Sequence, residues 1–186
     1  MKEVYLSIPF YILGLLQRFG PQHGYQIKKI ISEQLADFTQ IKLPVIYYHL
    51  EKMSEEGLLN AECEKNGSRP EKTVYSVTEK GREQFLVLLE QMLDSEYRPV
   101  FSTDGIFYFS EFTGTEHIVQ KLRVYTEKIS LGIKAIEKHR DETAAYIPEA
   151  YRSSAEIIFT HHLLHFRAER EWAENTISIL EEEKNT

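Results

Sequence analysis

The chain has 186 residues, 42% of them apolar and 27% charged, with a formal net charge of −7. That is enough for one good-sized domain or two small ones around a packed core, and it excludes a wholly disordered polypeptide. The lone Cys63 excludes a disulfide framework and any all-cysteine metal site. No apolar run approaches membrane-spanning length, and the start Met1-Lys2-Glu3-Val4 lacks the layout of a secretory signal. A cytoplasmic protein without a membrane partner is expected. The charge is uneven: residues 1–90 carry 11 Lys and Arg against 12 Asp and Glu, and the remainder carry 11 against 17. The acidity belongs to the second half, so the first half can still gather its bases on one face.

Residues 4–19 place Ile8, Ile12, Leu15, Leu16 and Phe19 at helical spacing, and Gly20-Pro21 stops the segment. Residues 23–37 repeat the period with Ile27, Ile30, Ile31 and Leu35. A third helix is predicted from Pro44 to Glu56, closed by Gly57; proline suits a first helical position because its missing N–H would be unpaired there. Ile46, Tyr47, Leu50 and Met53 share one side of it, and Val45, Tyr48, His49 and Lys52 share the other. Asn60–Lys65 and Lys72–Val77 read as two strands around the Asn66-Gly67 turn, both of whose residues tolerate positive φ. Thr78 caps a fourth helix carrying Phe85, Leu88, Leu89 and Met92.

Three helices followed by a two-stranded wing is the winged helix-turn-helix plan, in which the third helix lies in the DNA major groove. The outward side of that helix offers Val45, Tyr48, His49 and Lys52, with Lys42 before its start. Lys28 and Lys29 lie on the second helix, and Arg69 and Lys72 flank the wing tip. Such side chains neutralise phosphates and hydrogen-bond base edges, although single bases are also common on any solvated helix.

At these residues a resemblance becomes specific. Ile12-Leu13-Gly14-Leu15-Leu16, Gly20-Pro21 and His23-Gly24-Tyr25-Gln26-Ile27 are similar to the opening motif of the PadR family of bacterial transcriptional regulators. Tyr47, Leu50, Glu51 and Gly57-Leu58-Leu59 resemble that family's third-helix pattern. Arg69, Lys72, Tyr75 and Val77-Thr78-Glu79-Lys80-Gly81-Arg82 resemble its wing and fourth helix. The resemblance covers about the first 90 residues. It implies a dimeric DNA-binding regulator, usually a repressor, and adds Tyr25, at the opening of the second helix, to the DNA-contacting set. It also implies a helical C-terminal domain that dimerises, and in some relatives a response to phenolic acids or hydrophobic drugs.

The second half opens with six aromatics, Tyr97, Phe101, Phe107, Tyr108, Phe109 and Phe112, punctuated by Pro99, Gly105 and Gly114. They supply buried area against the DNA-binding unit, or line a pocket for an aromatic or apolar effector, or both. Candidate lining residues are Tyr97, Phe101, Tyr108, His162, His165 and Phe166. A helix over 115–143 repeats Ile118, Leu122, Tyr125, Ile129, Gly132 and Ile136 at alternating intervals of four and three. After Pro148 a last helix, 149–182, does the same with Phe159, Leu163, Phe166, Arg170, Ala173, Ile177 and Leu180. The expected partner of this dimerisation seam is the preceding helix plus the same region of a second chain. Arg170 either pairs with an acid of the partner chain or snorkels to the edge. His161, His165 and Glu169 share a helix face at a spacing a divalent metal could use, but core or solvated histidines are the default reading and no metal or cofactor is assigned.

The fold expected is mainly α: a winged helix-turn-helix with a β-hairpin wing over 1–93, then a helical dimerisation and candidate effector domain over 94–186. The function expected is a sequence-specific, dimeric, ligand-responsive repressor acting on a pseudo-palindromic operator in double-stranded DNA. The alternative is a winged-helix protein-interaction module that binds no DNA. Nothing in the sequence supports an enzyme, since GxSxG, a phosphate-binding glycine loop and GxGxxG are all missing.

Overall fold

A computed structural model of the chain describes residues 2–35, 39, 41–64, 72–94 and 96–184. They divide into two compact units, Met1–Arg98 and Pro99–Thr186.

The first unit comprises α1 (Lys2–Phe19), α2 (Gly24–Gln34), α3 (Leu43–Glu55), β1 (Leu59–Glu64), β2 (Lys72–Val77) and α4 (Glu79–Leu93). Two helices stop at glycines in the left-handed region, α1 at Gly20 (φ 75°) and α3 at Gly57 (φ 74°), a conformation costly for any side chain with a Cβ. α3 starts one residue earlier than expected, with Pro44 in its first turn and Lys42 as N-cap. The α2 cap is unusual: His23 Nδ1 accepts from Gln26 N at 3.2 Å while Gln26 Oε1 accepts from His23 N at 2.9 Å, a capping box built on an imidazole. The α4 cap is the expected Thr78, whose Oγ1 accepts from Gly81 N at 3.1 Å.

Ile12, Leu13 and Leu16 from α1 meet Ile27 and Ile31 from α2 and Ile46, Leu50 and Met53 from α3. Tyr75 and Leu88 close this core from β2 and α4. Each fully buried aliphatic side chain here contributes roughly 1.5–3 kcal/mol. Phe85 brings α4 onto α1 by stacking on Phe10, ring centroids 5.0 Å apart. The two strands pair antiparallel from Leu59↔Val77 to Glu64↔Lys72, and the turn before α2 joins them through the reciprocal bonds Gln22 N→Tyr75 O (3.0 Å) and Tyr75 N→Gln22 O (2.9 Å). The wing base is thereby tied to the start of α2. The expected hairpin turn at Asn66-Gly67, with Ser68, Arg69 and Pro70, lies outside the described residues.

The second unit begins with a short helix, α5 (Asp104–Tyr108), and a 3-10 turn at Ser110–Phe112. Two long helices follow, α6 (Thr115–Tyr146) and α7 (Glu149–Lys184). They form an antiparallel hairpin with two core clusters. Ile118, Val119 and Leu122 pack on Ala173 and Ile177; Ile129, Ile133 and Ile136 pack on Phe159 and Leu163. Gly132 allows the closest approach, because a Cβ there would stand 2.6 Å from the Phe166 ring. Arg123–Glu181 (2.7 Å) and Arg167–Glu137 (3.0 Å) bridge the helices at the surface.

Candidate nucleic-acid interface

The exposed side of α3 is rotated from the one expected. At about 100° per residue, His49 falls only about 40° from Met53 and 60° from Ile46, inside the apolar arc. It is accordingly buried, 6% exposed, with its ring edge-on to Tyr48 at 5.2 Å. Burial, and then the positive charge of Lys52, holds its pKa below the usual histidine value, with Glu56 pulling the other way. A neutral imidazole turned into the core does not present itself to a base edge, so His49 is removed from the groove-reading set. Val45 is half-buried and packs at the margin of the same core. The solvent arc consists instead of Tyr47, Tyr48, Glu51 and Lys52.

On that arc Tyr48 is 58% exposed. Lys52 reaches Glu56 at 3.9 Å, a loose, solvated pair worth little by itself and readily exchanged for a phosphate. Tyr47, placed by its periodicity on the core side, is partly exposed because its ring lies over Gly24 at the start of α2. Next to it Tyr25 is 62% exposed, while Lys28 is half-buried and Lys29 pairs loosely with Glu33 at 3.8 Å. Lys42 is exposed just ahead of α3. Lys72 is exposed at the start of β2 but stands opposite Glu64, which weakens the positive field at the base of the wing. Arg69 lies outside the described residues. The first unit therefore carries Tyr25, Lys29, Lys42, Tyr48 and Lys52 on solvent-facing positions of α2 and α3 and of the α3 cap, and Lys72 on the wing.

The seam expected to pair two chains is largely covered within one. Phe159, Leu163, Ala173 and Ile177 are buried against α6, and Phe166 and Leu180 are half-buried beside them. The preceding helix, one of the two partners expected for this seam, covers these positions because α6 and α7 have matching apolar stripes and close on each other. Arg170 turns to its own helix, with Nε 3.6 Å from Glu174 Oε1. The apolar positions that α7 leaves open lie on its other faces, at Ile157, Ile158, Leu164 and Ile179.

Among the effector candidates, Tyr97, Phe101 and Tyr108 are exposed, Tyr108 edge-on to Phe109 at 4.8 Å. Of the six aromatics, Phe107 is the one that turns inward, packing edge-on to Trp172 at 5.8 Å. His162 and Phe166 are half-buried and His165 is exposed. A cleft in this unit is lined by Thr115, Val119, Arg123, Leu180 and Glu181, which include none of those candidates. Among the described residues no group of three or more His, Cys, Asp or Glu could hold a metal, and no helix is long and apolar enough to cross a membrane.

The element order, the tied wing base and the exposed third helix define a winged helix-turn-helix protein. Residues 12–86, all within the first unit, match the family model of the transcriptional regulator PadR-like family. The negative transcriptional regulator PadR of Bacillus subtilis is 32% identical over 77 residues, 41% of this chain and 42% of that protein. The aligned stretch thus spans less than half the length of the curated relative. Two crystal structures of Bacillus subtilis PadR share the fold of nearly the whole chain. The complex with operator DNA has a TM-score of 0.74 at 20% identity, over 94% of this chain and 99% of that one. The complex with p-coumaric acid has a TM-score of 0.69 at 20% identity, over 95% and 97%.

Proposed function

We propose that the protein is a transcriptional regulator rather than an enzyme: a cytoplasmic homodimer whose paired winged helices bind a pseudo-palindromic site in double-stranded DNA. The observation that carries this reading is the solvent arc of α3, where Tyr48 and Lys52 project from a helix fixed by a fully buried opposite face. A tyrosine offers a flat ring and a hydroxyl to a groove, and a lysine offers a charge to a phosphate. The family match over residues 12–86 and the operator complex of the Bacillus relative support it. Tyr25, Lys28, Lys29, Lys42, Arg69 and Lys72 are the further DNA-contact candidates. Negative regulation is the expected sign, as in the description of that relative.

An effector of the phenolic-acid or apolar aromatic class is part of the proposal, supported by the p-coumaric acid complex of the relative and by the exposed rings of Tyr97, Phe101 and Tyr108. Such a ligand acts only through a difference in affinity between two arrangements of the dimer. The test is a titration of the protein on a fragment of its own upstream DNA at several salt concentrations. A steep fall in affinity with rising salt, driven by counterion release, is the expected result. No complex at low salt would favour a winged-helix module that binds protein instead.

A further inference from the structure

His161 and His165 stand one turn apart on the exposed side of α7, and their Nε2 atoms are 3.1 Å apart. Their rings meet edge to face at 87°, centroids 4.7 Å apart. Ring nitrogens this close must share something, because two N–H groups cannot point at each other. Here they share one proton, in a hydrogen bond whose direction depends on the tautomers, and an ion that binds both nitrogens would replace that proton. Two nitrogens each about 2.0–2.1 Å from one ion lie about 2.9 Å apart at a right angle and about 3.4 Å apart at the tetrahedral angle. The observed separation falls between these, so an ion enters the gap with small adjustments of two rings already held on one helix.

Glu169, the third group at this spacing, is committed elsewhere: its Oε1 accepts from Tyr125 Oη at 2.8 Å across the hairpin. Among the described residues no group of three or more His, Cys, Asp or Glu could hold a metal, so a site here would take two protein ligands and fill the rest of its shell with water. Two imidazoles select zinc, nickel or copper over the oxygen-preferring magnesium and calcium. We propose that His161 and His165 form a two-histidine clamp for a divalent transition ion of this nitrogen-preferring class, fastening one turn of α7. The site lies on the second unit and does not depend on the DNA-binding reading.

The experiment is calorimetric titration of the full, untagged, chelator-treated chain with zinc chloride at pH 7.5, with melting followed by circular dichroism. One zinc ion per chain is expected, with a rise in melting temperature. His161→Ala and His165→Ala should each weaken binding at least about tenfold and abolish the rise, since loss of even an outer-shell partner costs about 10–100-fold. His162→Ala, one residue away on a different face, should bind like the unaltered chain. Both histidines are exposed, so the variants should fold, and the glutamine variants at the same positions repeat the test with a side chain closer in size. Absence of zinc binding overturns the proposal, as does undiminished affinity in the His161 and His165 variants.

Discussion

The ring of Tyr47 on α3 occupies the space where a side chain at position 24 would begin: a Cβ on Gly24 would stand 2.7 Å from Tyr47 Cε1. This contact sets how closely the second helix lies over the third, and so how the α3 arc is presented. Gly24→Ala should push the ring outward and lower stability by about 1–2 kcal/mol, a typical overpacking cost. It should also weaken DNA binding, because the displaced ring lies beside Tyr48. Combining it with Tyr47→Leu should recover most of the lost stability. Chemical denaturation of the two single variants and the double variant checks the coupling, and additive losses would mean the contact carries none.

The junction between wing and fourth helix should be less forgiving. A Cβ on Gly81 would meet the Leu58 carbonyl oxygen and the Val77 side chain, and a backbone oxygen cannot swing aside as a ring can. Thr78 holds the same junction, donating from Oγ1 to the Gly57 and Leu58 carbonyls at 2.8 and 3.0 Å and accepting from Gly81 N. Thr78→Ala should cost about 1 kcal/mol, the usual value of a helix cap. Gly81→Ala should cost more, about 2–4 kcal/mol, through the forced backbone shift. Urea unfolding of both variants gives the order, and a Gly81→Ala variant as stable as the parent would contradict the packing described.

Acid should act on the start of α2. Burial, and then the charge of Lys72, holds the His23 pKa below its ordinary value; Glu64 and a backbone hydrogen bond pull the other way. In the unfolded chain histidine titrates near 6.5. Below that pH the unfolded state takes up a proton that the folded state resists, so the contribution of His23 is intact above about 6.5 and is lost as pH falls through its folded value. The structural reason is direct, because a protonated Nδ1 cannot accept from Gln26 N. His49 shifts in the same direction and adds the same sign. Melting temperatures from pH 8 to pH 5 should fall with acid, and less so in His23→Asn, which caps without titrating. Equal slopes in the two proteins would remove His23 from the effect.

Much of this fold is legible in the sequence, and the rest has physical reasons for being hidden. Gly20, Gly57 and Thr78 marked helix ends because each does something few other residues do, and the aliphatic periods of α1 and α3 marked the core. The polarity of His49 points to the solvent side, whereas its helical angle puts it among Ile46, Leu50 and Met53, where it is buried. His23 as a cap is not legible in the sequence, because imidazole is a rare N-cap and the reciprocal Gln26 bond is what shows it working. The alternating seams of α6 and α7 were visible, but period alone does not say whether a stripe meets its own chain or another. Gly132 lets the Phe166 ring approach α6 closely.

Lys52 tests the DNA-binding face. Its pair with Glu56 is loose and half-exposed, so Lys52→Ala should leave the melting temperature nearly unchanged. If the ammonium meets a phosphate, the variant should bind all sequences more weakly, and its salt dependence should lose about one unit of slope. If it reads a base edge, one operator position should relax instead. Gel-shift titrations at several salt concentrations, on the upstream fragment and on single-base variants of it, separate the two. Unaltered affinity on every fragment would take Lys52 out of the interface.

Leu163 and Leu164, neighbours on α7, should behave oppositely. Leu163 is 3% exposed and packs on Ile129, Ile133 and Ile136, whereas Leu164 is 58% exposed and points away from them. Leu163→Asp should bury an unpaired carboxylate and unfold the hairpin, at a cost of about 3 kcal/mol or more. Leu164→Asp should leave helix content and melting of the isolated chain intact, because its side chain stays in water. If the open positions of α7 meet a second chain, that variant should run as a monomer in sedimentation and lose affinity for a two-site operator, while binding a single half-site as weakly as before. A folded, fully dimeric Leu164→Asp would move the interface to another surface, and a folded Leu163→Asp would mean that α6 does not cover the seam.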